Sequence, residues 1–222
     1  MNLLKGKNGI IFGALNEQSI AWQVALAAVE QGANIVLTNT PLALRMGEVD
    51  KLAQLCNAPV IAADATSVED LEALVDGAMA HFGGKIDFVL HSVGMSPNVR
   101  KNIPYQQLNY DFFSKTLDIS AVSFHKVMSV LYNKRAMNEW GSIVALTYLA
   151  AQRIVVGYND MADAKALLES EARSFGAIFG RDFKVRVNTI SQSPTPTTAG
   201  NGVKGMKTML DFAQAMSPLG NA

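Results

Sequence analysis

Short apolar runs alternate along the chain with longer stretches in which apolar positions recur every three or four residues. Gly9-Ile10-Ile11-Phe12-Gly13 reads as a first buried strand, Asn34–Thr38 as a second and Val60-Ile61-Ala62 as a short third. Ile86–His91 is a fourth, apolar almost throughout, as expected of a strand covered on both sheet faces. Ser142–Thr147 and Val185–Ile190 complete a set of six. Between them lie helical patterns: Ser19–Gln31, with Ser19 as N-cap and Gly32 as stop, Leu42–Leu55, and Thr66 to about His81. Two more run from about Tyr110 to Tyr132 and from Tyr158 to about Gly180. Strand, helix, strand, repeated in this way, predicts an α/β fold, a doubly wound parallel sheet in one domain spanning residues 1–222. Its ligand crevice should lie at the carboxyl ends of the strands, near the topological switch point.

Composition narrows the function. Of 222 residues, 49% are hydrophobic and only 17% charged, which suits a chain that buries much of its surface. Lys+Arg and Asp+Glu both number 19, so the basic footprint of a nucleic-acid binder is missing. Cys56 is the single cysteine and permits no intrachain disulfide, which fits a reducing, cytoplasmic setting. Met1–Lys7 lacks the apolar stretch of a signal peptide, and no apolar run approaches the ~20 residues that span a bilayer. His81, His91 and His125 lie far apart and have no metal-ligand spacing.

Gly13 closes the first strand, and Gly13-Ala14-Leu15-Asn16-Glu17-Gln18-Ser19-Ile20-Ala21 follows. Only the first glycine of the G-x-G-x-x-G fingerprint is present, with small Ser19 and Ala21 further on. Backbone N–H groups at the start of the Ser19 helix can still meet a pyrophosphate, although an ordinary strand–helix turn has the same pattern. The second strand ends at Thr38-Asn39-Thr40, with neither an acid for ribose hydroxyls nor an arginine for a 2′-phosphate, Arg45 being the nearest cation of that kind. Asp64-Ala65 after the third strand can address an adenine edge, or Asp64 can cap the next helix.

Tyr158 and Lys165 are spaced Y-x6-K. Seven residues are just under two helical turns, so on one helix both side chains share a face, with small Ala162 between them. The lysine is long enough to hold a ribose hydroxyl while the tyrosine addresses a reacting group. An exposed helix pair would give the same spacing; its place, after the fifth strand, is what singles it out.

With these segments taken together the chain resembles the short-chain dehydrogenase/reductase superfamily and, within it, the enoyl-acyl-carrier-protein reductases. The resemblance rests on Gly13 with Ser19-Ile20-Ala21, His91-Ser92-Val93-Gly94, Leu146-Thr147-Tyr148, the run from Tyr158 to Glu169, and Arg186-Val187-Asn188-Thr189-Ile190-Ser191, all in family order. Carbonyl-reducing members carry a serine about a dozen residues before the tyrosine. Here Ala145, Leu146 and Thr147 precede a second tyrosine, Tyr148, which is the enoyl-reductase arrangement. Ser191-Gln192-Ser193-Pro194 departs from the family's usual Ala-Gly-Pro, and Thr195 stands where isoleucine is common.

The resemblance implies reduction of a trans-2-enoyl thioester by NADH, with charge developing on the thioester oxygen. Tyr158 would donate a hydrogen bond to that oxygen, Lys165 would hold the nicotinamide ribose, and Tyr148 would line the acyl pocket. Gly13, Ser19, Ile20, Thr40, Asp64, Ala65, Ser92, Gly94, Lys165 and Thr195 would contact the cofactor, and residues 194–216 would form a substrate lid. It further implies a homo-tetramer and an acidic acyl-carrier protein docking at Lys204 and Lys207, spaced i, i+3 on a short helix from Val203. A carbonyl reductase of the same superfamily and a catalytically silent NADH-binding protein are the competing expectations. In the family the sheet continues with another helix and a seventh strand. The expectation is therefore a C-terminally incomplete enzyme, poor in stability or activity, with its sixth strand an uncovered edge.

Overall fold

The computed structural model of the chain describes residues 2–198, 200 and 206–219. The elements in chain order are β1 (Asn8–Phe12), α1 (Ile20–Glu30), β2 (Asn34–Thr38), α2 (Pro41–Met46), α3 (Val49–Cys56) and α4 (Val68–Phe82). They continue with β3 (Ile86–His91), α5 (Pro97–Arg100), α6 (Tyr110–Leu117), α7 (Ser123–Asn133), β4 (Met137–Thr147), α8 (Asp160–Phe183), β5 (Arg186–Ser191) and α9 (Met206–Met216). The strands form one parallel sheet in the order β2-β1-β3-β4-β5. The expected doubly wound, Rossmann-like architecture is present.

Strands β1 to β4 feed two cores because successive side chains point to opposite faces. Ile10, Phe12, Val36 and Val89 pack with α4, α7 and α8 around Leu74, Phe124, Leu131 and Phe179. Ile11, Ile35, Leu37 and Leu90 pack with α1 and α3 around Trp22 and Leu52. Local signals set most helix ends. Ser67 accepts from the Asp70 N–H at 3.1 Å to start α4, which stops at Gly83 in the left-handed region. Thr40 caps α2 with Pro41 in its first turn.

Five expectations need correction. The third strand reduces to one bridge between Val60 and Leu37, though Pro59, Ile61 and Ala63 hydrogen-bond to β2 and the residue after it. Pro59 has no N–H to extend the ladder. The helix expected over Leu42–Leu55 breaks at Gly47-Glu48. There the Glu48 N–H donates to the Leu15 carbonyl at 2.9 Å, and a Cβ on Gly47 would stand 2.6 Å from the same oxygen. The helix expected over Tyr110–Tyr132 contains a π-helical stretch, Asp118–Val122. The fifth strand starts at Met137 instead of Ser142, with a register shift against β3 between Ile86 and Phe88. The last long helix begins after Tyr158 and runs on to Phe183, because Gly176 and Gly180 are tolerated where the helix lies against β5 and the chain leading into it.

β5 pairs with β4, and among the described residues no strand pairs with its other side. Ile190 on β5 is half exposed, and Met206–Met216 is a helix rather than a returning strand. Among the described residues no helix is long and apolar enough to cross a membrane, and no cluster of His, Cys, Asp or Glu could hold a metal.

Phe179, fully buried, meets the rings of Tyr132, Phe175 and Phe183 edge-on. Phe179→Ala is expected to lower unfolding stability by about 3–5 kcal/mol, read from urea denaturation of the two proteins.

Candidate active site

The loops after β1, β2, β3 and β4 all leave the same edge of the sheet. Gly13 follows β1 with φ +91°, and a Cβ there would lie 1.9 Å from the Ser92 carbonyl oxygen after β3. Only glycine lets these two loops touch. Ser19 occupies the N-cap position of α1, but its hydroxyl accepts from the Leu15 and Asn16 N–H groups, both at 3.1 Å, and does not cap the helix. It shapes the loop and leaves the first amides of α1, at Ile20 and Ala21, facing outward from the helix start, as any helix does.

A cavity of about 210 Å³ opens between the ends of β1 and β2, lined among others by Gly13, Thr38, Thr40, Asp64 and Ala65. The structure thus brings together four residues expected to contact a nucleotide. Thr38 has a buried hydroxyl without a partner among the described residues. Asp64 Oδ1 accepts from the Thr66 N–H and hydroxyl at 2.9 and 2.8 Å, while Ser67 takes the helix cap. Asp64 therefore shapes the turn and still borders the cavity. Arg45 is exposed on α2 and does not line it. Ile20 and Thr195 sit elsewhere, in a neighbouring apolar groove of about 420 Å³ on the α1 face of the sheet.

The loop after β3 spans to the second half of the site. A Cβ on Gly94 would meet Met161 Cε at 3.4 Å and Lys165 Nζ at 3.7 Å. Lys165 is buried, and its ammonium donates to the Leu146 carbonyl at the end of β4 (2.8 Å). Burial pushes its pKa down to about 8. One turn on, Glu169 accepts from Thr147 and Gln152, fastening α8 to the end of β4.

Tyr158 precedes α8, so the shared helix face inferred from Y-x6-K does not place it. Asn159 intervenes with φ +44°, ψ −134°. The Tyr158 ring packs against Tyr148, centroids 4.8 Å apart. Burial, and secondarily Tyr148, raise the Tyr158 hydroxyl well above the ordinary phenol range. It is a proton-bearing donor at neutral pH, and it has no hydrogen-bond partner among the described residues.

Sequence reasoning missed several residues here. Ser120, in the π-helical stretch, accepts from the Met95 N–H at 2.9 Å and touches Met161. Val93, Lys115 and Asp118 line the cavity that Gly13, Thr40, Asp64 and Ala65 share. His91 is a core histidine. Ser123 donates to the Ile119 carbonyl, so His91 Nε2 carries the proton and donates to Ser123 at 3.0 Å. Burial, then the charge of Lys165, push its pKa down to about 3. Of the two expected docking lysines, Lys207 pairs with Asp211 at 2.8 Å, and Lys204, with the start of its helix at Val203, lies outside the described residues.

A parallel sheet of this order, with a cavity at the carboxyl ends of its strands and a buried lysine seven residues after a tyrosine, is the arrangement of a nucleotide-dependent oxidoreductase of the short-chain dehydrogenase/reductase class. The chain belongs to the enoyl-acyl-carrier-protein reductase family, whose model, "Enoyl-(Acyl carrier protein) reductase", matches residues 13–222. It is 36% identical over 220 residues to enoyl-[acyl-carrier-protein] reductase [NADH] 2 of Rhizobium meliloti, covering 98% of this chain and 80% of that protein. It is 33% identical to the [NADPH] enzyme of Staphylococcus aureus, covering 97% of this chain and 84% of that one. The crystal structure of the FabI–NADH complex from Alistipes finegoldii superposes with TM-score 0.98 at 68% identity, over all of this chain and 78% of its own. That of the Aquifex aeolicus NADH enzyme superposes with TM-score 0.89 at 28% identity, over 99% of this chain and 84% of its own.

Lys165 carries a pH signature. Its pKa is lowered from 10.5 to about 8 in the folded protein. Between those values the unfolded chain binds more protons, so stability rises with pH across that window. The difference in urea midpoint between wild type and Lys165→Met should move in favour of wild type from pH 8 to 10.5. A constant difference would mean that Lys165 titrates normally.

Proposed function

We propose that the protein reduces trans-2-enoyl-acyl-carrier-protein thioesters with NADH, and that Tyr158, Lys165 and Tyr148 are its catalytic residues. One observation carries the choice over a carbonyl reductase: the ring facing Tyr158 is Tyr148, where a carbonyl reductase would present a serine. The retained tyrosine and buried lysine argue against a catalytically silent nucleotide binder.

The residues fit the cofactor. The cavity at Gly13, Thr40, Asp64 and Ala65, the unpartnered Thr38 hydroxyl and the glycine that a Cβ would block suit the adenosine end. Gly94 and Lys165 suit the nicotinamide ribose, with the ammonium exchanging the Leu146 carbonyl for ribose hydroxyls. When bound, NADH supplies the hydride that the reaction needs at the β-carbon of the substrate. Tyr158 contributes a donor aimed at the thioester oxygen, where charge appears only in the transition state. Its raised pKa keeps the proton on the phenol, so it stabilises by hydrogen bonding and does not start ionised. Tyr148, half-buried beside it, walls the acyl side. At the end of β2, Thr38, Asn39 and Thr40 bring no cation to the cavity, which favours NADH over NADPH; the cation that does line it, Lys115, comes from α6.

Residues 194–216 are assigned as substrate lid, with a homo-tetramer as the working assembly. Lys204 and Lys207 are assigned to the acidic carrier protein, although the Asp211 partner of Lys207 dilutes its charge.

With crotonyl thioester and NADH, Tyr158→Phe should lose about 10²-fold or more in kcat while NADH affinity stays within twofold. Turnover of simple ketones instead of the enoyl thioester by wild type would replace this reading with carbonyl reduction. Reversing both Lys204 and Lys207 to Glu should raise KM several-fold for an enoyl-acyl-carrier protein and leave KM for the small thioester unchanged. Equal changes would remove the docking assignment.

A further inference from the structure

We propose that Asp160 is a positioning residue that fixes the Tyr158 hydroxyl, acting through a buried hydrogen-bond hub at the start of α8. The proposal rests on the reading of Tyr158 as the transition-state donor.

Tyr158 has no helical position to hold it. Its N–H donates to Val155 at 3.2 Å, and its carbonyl accepts from Met161 at 3.1 Å. Between Tyr158 and α8 stands Asn159, a non-glycine residue at φ +44°. Such a conformation persists only where the surroundings over-determine it. Two sets of bonds do so here. The Asn159 side-chain amide donates to the Ile103 carbonyl at 2.6 Å. Asp160, wholly buried, accepts three donors on two oxygens: Ser96 Oγ at 2.6 Å on Oδ1, and Asn98 Nδ2 and Thr116 Oγ1, both at 2.8 Å, on Oδ2.

The donors are themselves fixed. Ser96 accepts from the Val99 N–H at 3.0 Å and so caps α5. Asn98 both accepts from and donates to the backbone of Asn109, at 3.1 and 3.2 Å, and Asn109 caps α6. Thr116 sits on α6, its single proton shared between Asp160 and the Phe112 carbonyl. Further out, the Tyr105 hydroxyl donates to Asp163 at 3.3 Å. The segment from Ser96 to Asn109 is therefore strapped to the first two turns of α8, and Asp160 is the central knot. A carboxylate accepts at both oxygens. An asparagine would turn an N–H against at least one of these donors. Loss of the hub frees the first turn of α8 to fray and Asn159 to return to an unstrained conformation, which displaces the phenol two residues before Asp160. The cofactor contacts proposed at Gly13, Thr40 and Asp64 lie on other loops, and Lys165 stands beyond the first turn of α8, held at the end of β4 by the Leu146 carbonyl, so most of the cofactor's proposed contacts lie outside this knot.

The test uses the full chain, with Asp160→Asn and the milder Thr116→Val, which removes one donor and leaves the carboxylate. Asp160→Asn is expected to lower kcat about tenfold or more, because small misplacements of a reacting group are costly. NADH affinity should stay within twofold, and Thr116→Val should fall between. In a Tyr158→Phe background Asp160→Asn should cost nothing further, since its effect passes through the lost hydroxyl. Ring-labelled tyrosine NMR, with the Tyr158 signals assigned by Tyr158→Phe, should show those signals shifted in both variants while Tyr132 is unmoved. Unchanged Tyr158 signals, or a kcat loss of the same factor in the Tyr158→Phe background, would overturn the proposal. If wild type does not turn over enoyl thioester, the functional reading fails, and the ring signals still decide the role of Asp160.

Discussion

The parallel pairing of β1 with β3 is the constraint on which the rest of the molecule depends. It places β2 on one side and β4 on the other, so the helices after β1 and β3 diverge to opposite faces and a crevice opens between their starts. Gly13 makes this pairing possible at the carboxyl edge, where the Ser92 carbonyl occupies the space of a side chain. That contact joins the β1 loop, which borders the cavity lined by Thr40 and Asp64, to the β3 loop, which reaches Gly94 and Lys165. The two halves of the site are thus parts of one packed edge.

Burial then decides the chemistry of the groups on that edge. Lys165 loses solvation and keeps one acceptor among the described residues, the Leu146 carbonyl, which leaves an ammonium ready for hydroxyl partners. The Tyr158 phenol is held in its donor form by the same loss of solvation. His91, close enough to feel Lys165, stays neutral and serves packing, its ring against Phe124. One layer away lies Asp160, where three buried donors meet a carboxylate. A buried polar cluster of this kind tolerates no missing member, which makes it a rigid support.

The two faces of the sheet are finished differently. On the α4–α7–α8 side an unbroken core runs from Ile10 to Val185. On the α1 side the apolar surface over β3, β4 and β5 opens into the groove lined by Val24, Leu90, Val144 and Ile190. Thr198 returns from β5 to hydrogen-bond Asn16 in the loop after β1 at 2.9 Å. The segment after β5 therefore touches the loop between β1 and α1 before α9 begins.

The sequence by itself determined the layered α/β architecture, because strands buried on both faces must be apolar runs and the covering helices must be amphipathic. It also pointed to Gly13, to Thr40, Asp64 and Ala65, which the fold brings to one cavity wall, and to Tyr158 and Lys165 by their spacing, with Tyr148 added through resemblance. Tertiary structure decided the rest. Val60–Ala62 has strand composition, but Pro59 and the edge position leave it a single bridge. Gly47 looks like a tolerable helix residue until Leu15 is brought against it. Y-x6-K looks like a helix face, yet Asn159 turns the chain just before the helix starts. Asp160 reads as an ordinary acid in a helix's first turn. Its burial depends on Ser96, Asn98 and Thr116, residues 64, 62 and 44 positions away along the chain. Periodicity carries local geometry over a few turns. It holds no record of which distant donors will meet one carboxylate.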